Sequence, residues 1–213
     1  MNVKLIIFDL DGTLIDTLSD IEHIFNYVLI KNGLEKKSKN FYKKNIGNGL
    51  DNLLRKCLPE NFMGDFNLLS NSVRDRYKHK LNTKTKIYDG IISVLEHLKK
   101  NKVNMAVISN KLHLLAVRSV ETYFNSYEMK VIGAEGGFPR KPNPDSTVHM
   151  LQYFNCSTSD ALFIGDSIVD IKTAQNASIR SVGVLWGNGT EEDFIKQKSD
   201  FILESPQEIL NIL

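Results

Sequence analysis

Two aspartates, Asp9 and Asp11, stand one leucine apart at the end of the apolar stretch "LIIF" near the amino terminus. Alternate side chains of an extended chain project to the same side, so both carboxylates are predicted to face one ligand. Such a pair can divide a reaction between them, one acting as nucleophile and the other as general acid and base. Gly12 follows and lets the backbone turn close to a bound group, where Thr13 can donate a further hydrogen bond.

Three later apolar stretches also end in polar segments, which are "SNK" at 109–111, "RKPNP" at 140–144 and "GDSIVD" at 165–170. In an open parallel sheet ligands bind outside the carboxyl ends of the strands, so the four segments are expected to converge on one crevice. There Asp166 and Asp170 would join the first pair, and the mutual repulsion of the carboxylates requires a cation. Ligands that are all oxygen, without histidine or cysteine, favour a hard ion, so Mg²⁺ is predicted.

Hydrogen-bond donors are expected to face these carboxylates across the same crevice. Ser109 offers a hydroxyl, Asn110 an amide and Lys141 an ammonium group. A metal ion together with such donors is typical of a site for a phosphoryl group. On this interpretation one aspartate attacks phosphorus and forms an aspartyl phosphate. The other protonates the departing oxygen and later deprotonates water.

Short apolar stretches alternate with helical patterns along the chain, which predicts an α/β fold with a Rossmann-like parallel sheet. One of the helices is expected to start at Asp89, which is interpreted as its cap. The predicted strands are 4–9, 103–109, 129–133, 161–165, 180–185 and 200–203.

The interval 15–83 carries no strand pattern and is predicted to be helical throughout. Three segments within it have helical patterns, and the basic run "KKSKNFYKK" is interpreted as a solvated helix face. We expect this interval to be a cap inserted after the first strand of an α/β core formed by residues 1–14 and 84–213. Linkers near 14–17 and 82–86 would hinge it.

Composition describes an ordinary globular chain of 213 residues, 42% of them apolar. The formal net charge of +2 is too small to indicate a nucleic-acid partner. Cys57 and Cys156 lie far apart without CxxC partners, so neither a disulfide framework nor a zinc site is indicated. No apolar stretch approaches the length of a membrane span. A cytoplasmic protein without a membrane partner is therefore expected.

Together, "FDLDGTLID", "SNK", "KPNP" and "GDSIVD", in this order, resemble the four motifs of the haloacid dehalogenase-like hydrolase superfamily. The helical insert likewise resembles a cap of that superfamily. The resemblance implies that Asp9 is the nucleophile, that Asp11 is the general acid and base, and that Ser109 and Lys141 hold the phosphate. It further implies that Mg²⁺ is bound by Asp9, the backbone carbonyl of Asp11 and Asp166, with Asp170 as a supporting carboxylate.

Within the superfamily, "NIGNGLDNLLRKCL" is similar to the glycine-containing cap segment of phosphoglycolate phosphatases. The resemblance implies a small phosphorylated metabolite as substrate, with 2-phosphoglycolate first and with selectivity contributed by Gly47, Asn48 and Gly49. Backbone N–H groups near the two glycines, beside the basic segment 36–44, can receive the carboxylate of that substrate.

Several alternatives remain open. Sugar phosphates, nucleoside monophosphates and pyrophosphate are the next candidate substrates, and a β-phosphoglucomutase-like transferase would keep both aspartates. A dehalogenase uses neither a metal nor a second aspartate, so Asp11 argues against it. A phosphoacceptor signalling domain has no partner carboxylate at i+2 and no helical insert. Both a monomer and a homodimer fit the sequence.

Overall fold

The computed structural model describes residues 3–213, which form a six-stranded sheet and a two-stranded antiparallel ribbon. The strands are β1 (Leu5–Phe8), β2 (Ile15–Asp16), β3 (Lys86–Ile87), β4 (Asn104–Leu112), β5 (Lys130–Ala134), β6 (Ala161–Gly165), β7 (Arg180–Val184) and β8 (Phe201–Leu203). The large sheet has the order β5-β4-β1-β6-β7-β8, and every neighbouring pair in it is parallel. The predicted parallel α/β sheet is therefore confirmed, with β1 in its interior.

Nine α-helices occur within the described residues. They are α1 (Leu18–Lys31), α2 (Lys39–Asn45), α3 (Leu50–Cys57), α4 (Phe66–Lys80), α5 (Ile91–Lys100), α6 (His113–Phe124), α7 (Asp145–Tyr153), α8 (Ile168–Asn176) and α9 (Glu191–Lys196). Alternate side chains of β1 serve both faces of the sheet: Ile6 and Phe8 join the hydrophobic cluster of α5 and α6, whereas Leu5 and Ile7 join that of α7 and α8. None of these helices within residues 3–213 is long and apolar enough to cross a membrane.

Two local expectations differ from the structure. The predicted strand ends at residue 109, whereas β4 continues through residues 110–112, and its register against β5 shifts along this extension. The helix expected from Asp89 begins at Ile91 instead. Its N-cap is Gly90, whose φ of +92° is a left-handed conformation, so Asp89 lies one residue outside the capping position.

The segment between β2 and β3 folds as four helices, α1 to α4, around a hydrophobic cluster of their own. The basic run at 36–44 contains most of α2, whose lysines are exposed as expected. Tyr42 is buried on its other side and donates its hydroxyl hydrogen to Asn26 Oδ1 at 2.9 Å. Leu115 of α6 belongs to the same cluster, so this helical insert packs directly against the part of the chain that carries the sheet.

Two chain crossings join the helical insert to the sheet. Residues 15–16 pair with residues 86–87 in the antiparallel ribbon. Beside the ribbon, the buried carboxylate of Asp20 accepts hydrogen bonds from backbone and hydroxyl donors of residues 83–85 at 2.6 to 3.1 Å. This one side chain of α1 therefore fixes where the chain returns from the insert.

Replacing Asp20 with alanine is expected to lower the free energy of unfolding by about 3 kcal/mol, because several partly buried hydrogen bonds lose their shared buried acceptor at once. Urea unfolding followed by circular dichroism measures the change. Asp75→Ala, which removes an exposed carboxylate of α4, is the control. A loss below about 0.5 kcal/mol, the usual range for surface substitutions, would contradict the role given to Asp20.

Candidate active site

Asp9 occupies the centre of the candidate site. It follows β1 directly, and its backbone N–H donates to the carbonyl of Ile164 in β6 at 2.8 Å. Its side chain is buried, and Oδ1 lies 2.9 Å from Nζ of Lys141. The carboxyl end of an interior strand, between two parallel neighbours, is where open α/β sheets bind their ligands.

Lys141 lies between two carboxylates. Its Nζ donates to Asp170 Oδ1 at 2.6 Å and is 2.9 Å from Asp9 Oδ1. The other oxygen of Asp170 accepts from the backbone N–H of Ser167 at 3.0 Å and from its hydroxyl at 2.6 Å. Burial opposes the charge of Lys141, but the attraction of Asp170 and Asp9 outweighs it and raises the lysine pKa above its usual range. Lys141 is therefore a permanent cation against Asp9.

Asp166 follows β6 and faces the turn after Asp9. Its carboxylate accepts from the hydroxyl of Thr13 at 3.1 Å and from the backbone and side-chain N–H groups of Asn188 at 2.9 and 2.7 Å. Gly12 lies against it with a φ of +92°, and a Cβ there would collide with the Asp166 carboxylate. Only glycine fits this approach. Thr13, expected to face the phosphate, directs its hydroxyl to Asp166 instead.

Oxygen atoms of Asp9, Asp166 and Asp170 come within 4.8 Å of one another. Burial raises the pKa of Asp9, and although Lys141 opposes this, Asp170 and Asp166 add to it. Burial and Asp170 likewise raise the pKa of Asp166. Among residues 3–213, Asp9 Oδ1 accepts no aligned hydrogen bond and has only the ion-pair contact with Lys141 at 2.9 Å, whereas both oxygens of Asp170 accept hydrogen bonds. The arrangement fits a cation held mainly by Asp9 and Asp166.

Asp11 pairs with a residue to which the sequence interpretation gave no role. Nζ of Lys111 lies 2.8 and 3.2 Å from the two carboxylate oxygens of Asp11. The lysine side chain is only 5% exposed and lies 5.7 Å from the ring centre of Tyr77 in α4. The sequence feature that could have identified Lys111 is its place in "SNK". An extended strand directs residues 109 and 111 to the same side, so Lys111 faces the site together with Ser109.

A cavity of about 60 Å³ lies between the helical insert and the carboxyl end of the sheet. Both members of the predicted catalytic pair, Asp9 and Asp11, line it. The remaining lining residues are Ile21, Phe25, Ile46, Gly47, Gly49, Leu50, Leu53, Tyr77, Ser109, Asn110, Lys111, Leu112 and Leu115. Asn48, by contrast, is exposed, and its carbonyl accepts from the side chain of Asn52 at 2.8 Å.

Asn110 joins the helical insert to the sheet. Its side-chain nitrogen donates to the carbonyl of Gly47 at 2.9 Å and to that of Lys141 at 3.1 Å. Because an amide nitrogen has two hydrogens, these two bonds use both of them. In this arrangement the Asn110 amide positions a loop of the insert and is not free to donate to a phosphate, unlike the role that the sequence suggests.

A chain of ion pairs makes a second connection. Arg74 of α4 pairs with Asp51 of α3 at 2.8 Å and with Glu135, which follows β5, at 3.1 Å. Glu135 also lies 3.7 Å from Arg140, whose guanidinium lies next to Gly49. With the Asn110 bonds, these contacts close the insert over the cavity.

A parallel sheet with a buried aspartate after its interior strand, a lysine and an acidic cluster beside it, and a helical insert above defines a class, the haloacid dehalogenase-like hydrolases. A sequence model of the haloacid dehalogenase-like hydrolase family matches residues 6–184, and the chain belongs to this family. The resemblance stated for the four motifs is thereby confirmed.

Relatives match over nearly the whole chain. A phosphoglycolate phosphatase from Aquifex aeolicus is 30% identical over 215 residues, covering 99% of this chain and 97% of that protein. A protein from Caldanaerobacter subterraneus, provisionally named a pyrophosphatase, is also 30% identical. The match covers 100% of this chain and 96% of that protein. The crystal structure of a protein from Haemophilus somnus, named by prediction as a phosphoglycolate phosphatase, has a TM-score of 0.91 and 27% identity, covering 100% and 98% of the two chains.

Proposed function

We propose that this protein is a phosphatase that hydrolyses a small phosphomonoester, with 2-phosphoglycolate as the first candidate. One observation carries the proposal: Asp9, buried beside Lys141 and the acidic cluster, opens onto the same cavity as Asp11. The Aquifex relative, named a phosphoglycolate phosphatase, supports the choice of substrate.

The proposed reaction divides two roles between the aspartates. A carboxylate oxygen of Asp9 attacks phosphorus while the bond to the leaving oxygen breaks, and Asp11 gives that oxygen a proton. Asp11 then takes a proton from water, whose oxygen attacks the phosphorus of the aspartyl phosphate and releases Asp9. Lys141 and the hydroxyl of Ser109 neutralise and hold the phosphoryl oxygens.

A magnesium ion is the proposed cofactor, held by Asp9, the backbone carbonyl of Asp11 and Asp166, with Asp170 supporting Lys141. When bound, it supplies positive charge that offsets the charge of the phosphoryl group. Thr13 and Asn188 hold the Asp166 carboxylate in place by the hydrogen bonds described above. Gly12 leaves the space that these groups need.

The proposed division of labour gives the chemistry to a core of residues 1–14 and 84–213 and the selection of substrate to a cap of residues 15–83. A cavity of about 60 Å³ leaves space for a small leaving group and few waters, which favours a small ester over a macromolecule. Cys57 and Cys156 are free thiols, in keeping with a reducing compartment, and we propose the cytoplasm.

Pyrophosphate is the second candidate substrate, because the Caldanaerobacter relative is as similar to this chain as the Aquifex one. Pyrophosphate is small, and its phosphate leaving group is similar in length to the glycolate leaving group of 2-phosphoglycolate. The same aspartyl phosphate chemistry serves both compounds.

Phosphate release from a panel of esters, measured with Mg²⁺ and then with a chelator, tests the proposal. We expect turnover of 2-phosphoglycolate or pyrophosphate with Mg²⁺, loss of activity in chelator, and recovery when Mg²⁺ is restored. Hexose phosphates and nucleoside monophosphates serve as comparison compounds. Full activity in chelator would overturn the metal-dependent mechanism. A tenfold higher kcat/KM for a hexose or nucleoside phosphate would overturn the proposed choice of substrate.

A further inference from the structure

We propose that Lys111 is the receptor for a second anionic group on the leaving side of the substrate. The inference rests on the proposed function and deepens it, because it names the chemistry that the cavity selects. The substrate is then a phosphate ester or anhydride whose leaving group carries its own negative charge close to the bridging oxygen. A carboxylate and a second phosphate both meet this description.

The cavity that Asp9 and Asp11 line offers little positive charge of its own. Among the described residues that line it, Lys111 is the one cationic side chain, and most of the others are apolar. Its ammonium group is nearly excluded from solvent, with Tyr77 of the helical insert beside it. A charge pair in such an enclosed place is screened less than one at the surface, so a ligand anion gains more from it.

Lys111 lies beside Asp11, the carboxylate that is proposed to protonate the leaving group. Asp11 must approach the bridging oxygen to protonate it, and the ammonium group lies 2.8 Å from an oxygen of this carboxylate. A charged group bonded one or two atoms beyond the bridging oxygen therefore comes within reach of the same ammonium. An ammonium has three N–H donors, and the two oxygens of Asp11 engage at most two of them.

Lys141 cannot take this role, because its ammonium lies between Asp9 and Asp170, on the side of the nucleophile and away from the leaving group. The cations of the ion-pair chain, Arg74 and Arg140, have acidic partners of their own outside the cavity lining. Lys111 is thus the positive charge that distinguishes one leaving group from another.

The competing explanation is that Lys111 merely neutralises Asp11. The two explanations differ in how the effect of removing the lysine on kcat/KM depends on the substrate. A neutralising lysine affects every ester equally, whereas a receptor affects only those whose leaving group is charged. The ratio of kcat/KM values between charged and uncharged substrates is therefore the decisive quantity.

The test compares wild type, Lys111→Met, Lys111→Arg and a control, Lys172→Met, which removes an exposed lysine of α8. Substrates are 2-phosphoglycolate, pyrophosphate and 2-hydroxyethyl phosphate, whose leaving group is similar in size to glycolate but uncharged. We expect Lys111→Met to lower kcat/KM for the preferred charged substrate at least about 30-fold more than for 2-hydroxyethyl phosphate, a typical effect of removing one member of an enclosed charge pair. Lys111→Arg should recover part of the preference, and Lys172→Met should equal wild type.

Binding of inert analogues keeps the test decisive if Lys111→Met turns over too slowly to measure. With Mg²⁺ present, wild type should bind 3-phosphonopropionate more tightly than propylphosphonate in calorimetry, and Lys111→Met should bind the two alike. If catalysis selects pyrophosphate, methylenediphosphonate replaces 3-phosphonopropionate and separates the phosphate source of the charge from the carboxylate one.

Failure of the inference and failure of the proposed function give different results. An equal loss on charged and uncharged substrates in Lys111→Met, or a wild type without preference for a charged leaving group, would overturn the role of Lys111 and leave the phosphatase intact. A wild type that releases phosphate from none of the compounds would overturn the proposed function itself.

Discussion

Asp9→Asn is expected to remove essentially all turnover, by at least about 10⁴-fold, because an amide oxygen cannot replace the carboxylate that attacks phosphorus in the proposed mechanism. The folded protein should survive the change. Burial already raises the pKa of Asp9, so the site disfavours the negative charge that the substitution removes. Lys141 keeps Asp170 as a partner at 2.6 Å. The melting temperature should therefore stay close to that of wild type while phosphate release disappears.

Initial rates at saturating substrate and thermal unfolding curves, recorded on the same preparation, check this expectation. Asp9→Ala excludes residual activity from deamidation of the new asparagine. The matched control is Asp145→Asn, which makes the same chemical change at an exposed position of α7. More than about one per cent of wild-type turnover in Asp9→Ala would require another nucleophile.

Much of the fold can be predicted because its determinants are local. Strand β1 is a short apolar run that ends at an aspartate. The insert is predicted by its helical periodicity, which replaces the strand pattern found elsewhere in the chain. The far end of β4 could not be predicted in the same way. Polar residues 109–111 interrupt its apolar pattern, and its pairing with β5 sets where the strand ends.

The residue types of the candidate site follow from sequence, whereas several of their partners do not. Asn110 contacts Gly47 and Lys141, which are 63 and 31 residues away along the chain. Thr13 reaches Asp166 across 153 residues. Side chains with free donors can serve either a ligand or a neighbour, and only the folded arrangement decides between them.

The burial of Lys111 could not be predicted from the sequence either. A lysine within a polar tripeptide looks like a solvated charge, since lysine is seldom fully buried. The helical insert encloses Lys111, because Tyr77 of α4 lies beside the ammonium group of the lysine. Burial that depends on two distant parts of the chain leaves no mark in the local sequence.

Lys141→Met is expected to lower kcat about 10²–10³-fold, the usual effect of removing one donor aimed at developing charge. The lysine side chain is only 2% exposed and is the cation between Asp9 and Asp170, whose carboxylates then lose their shared counter-charge. Removing one member of a buried ion pair commonly costs about 3–5 kcal/mol of stability, so kcat must be measured below the melting temperature of the variant. Lys141→Arg, which keeps the charge, should recover stability better than turnover, because a planar guanidinium cannot replace a compact ammonium in that space.

The neighbouring residue supplies the control that decides the register of the motif "RKPNP". Arg140 lies at the edge of the site, where its guanidinium is 3.7 Å from Glu135 and about a third exposed. Arg140→Met should therefore change kcat less than about threefold, in line with the small value of exposed ion pairs. If Arg140→Met cripples the enzyme while Lys141→Met leaves it active, the phosphate-holding cation is Arg140. The charge opposite Asp9 would then be structural, because the pair of Lys141 with Asp170 would serve to hold α8 against the end of β1.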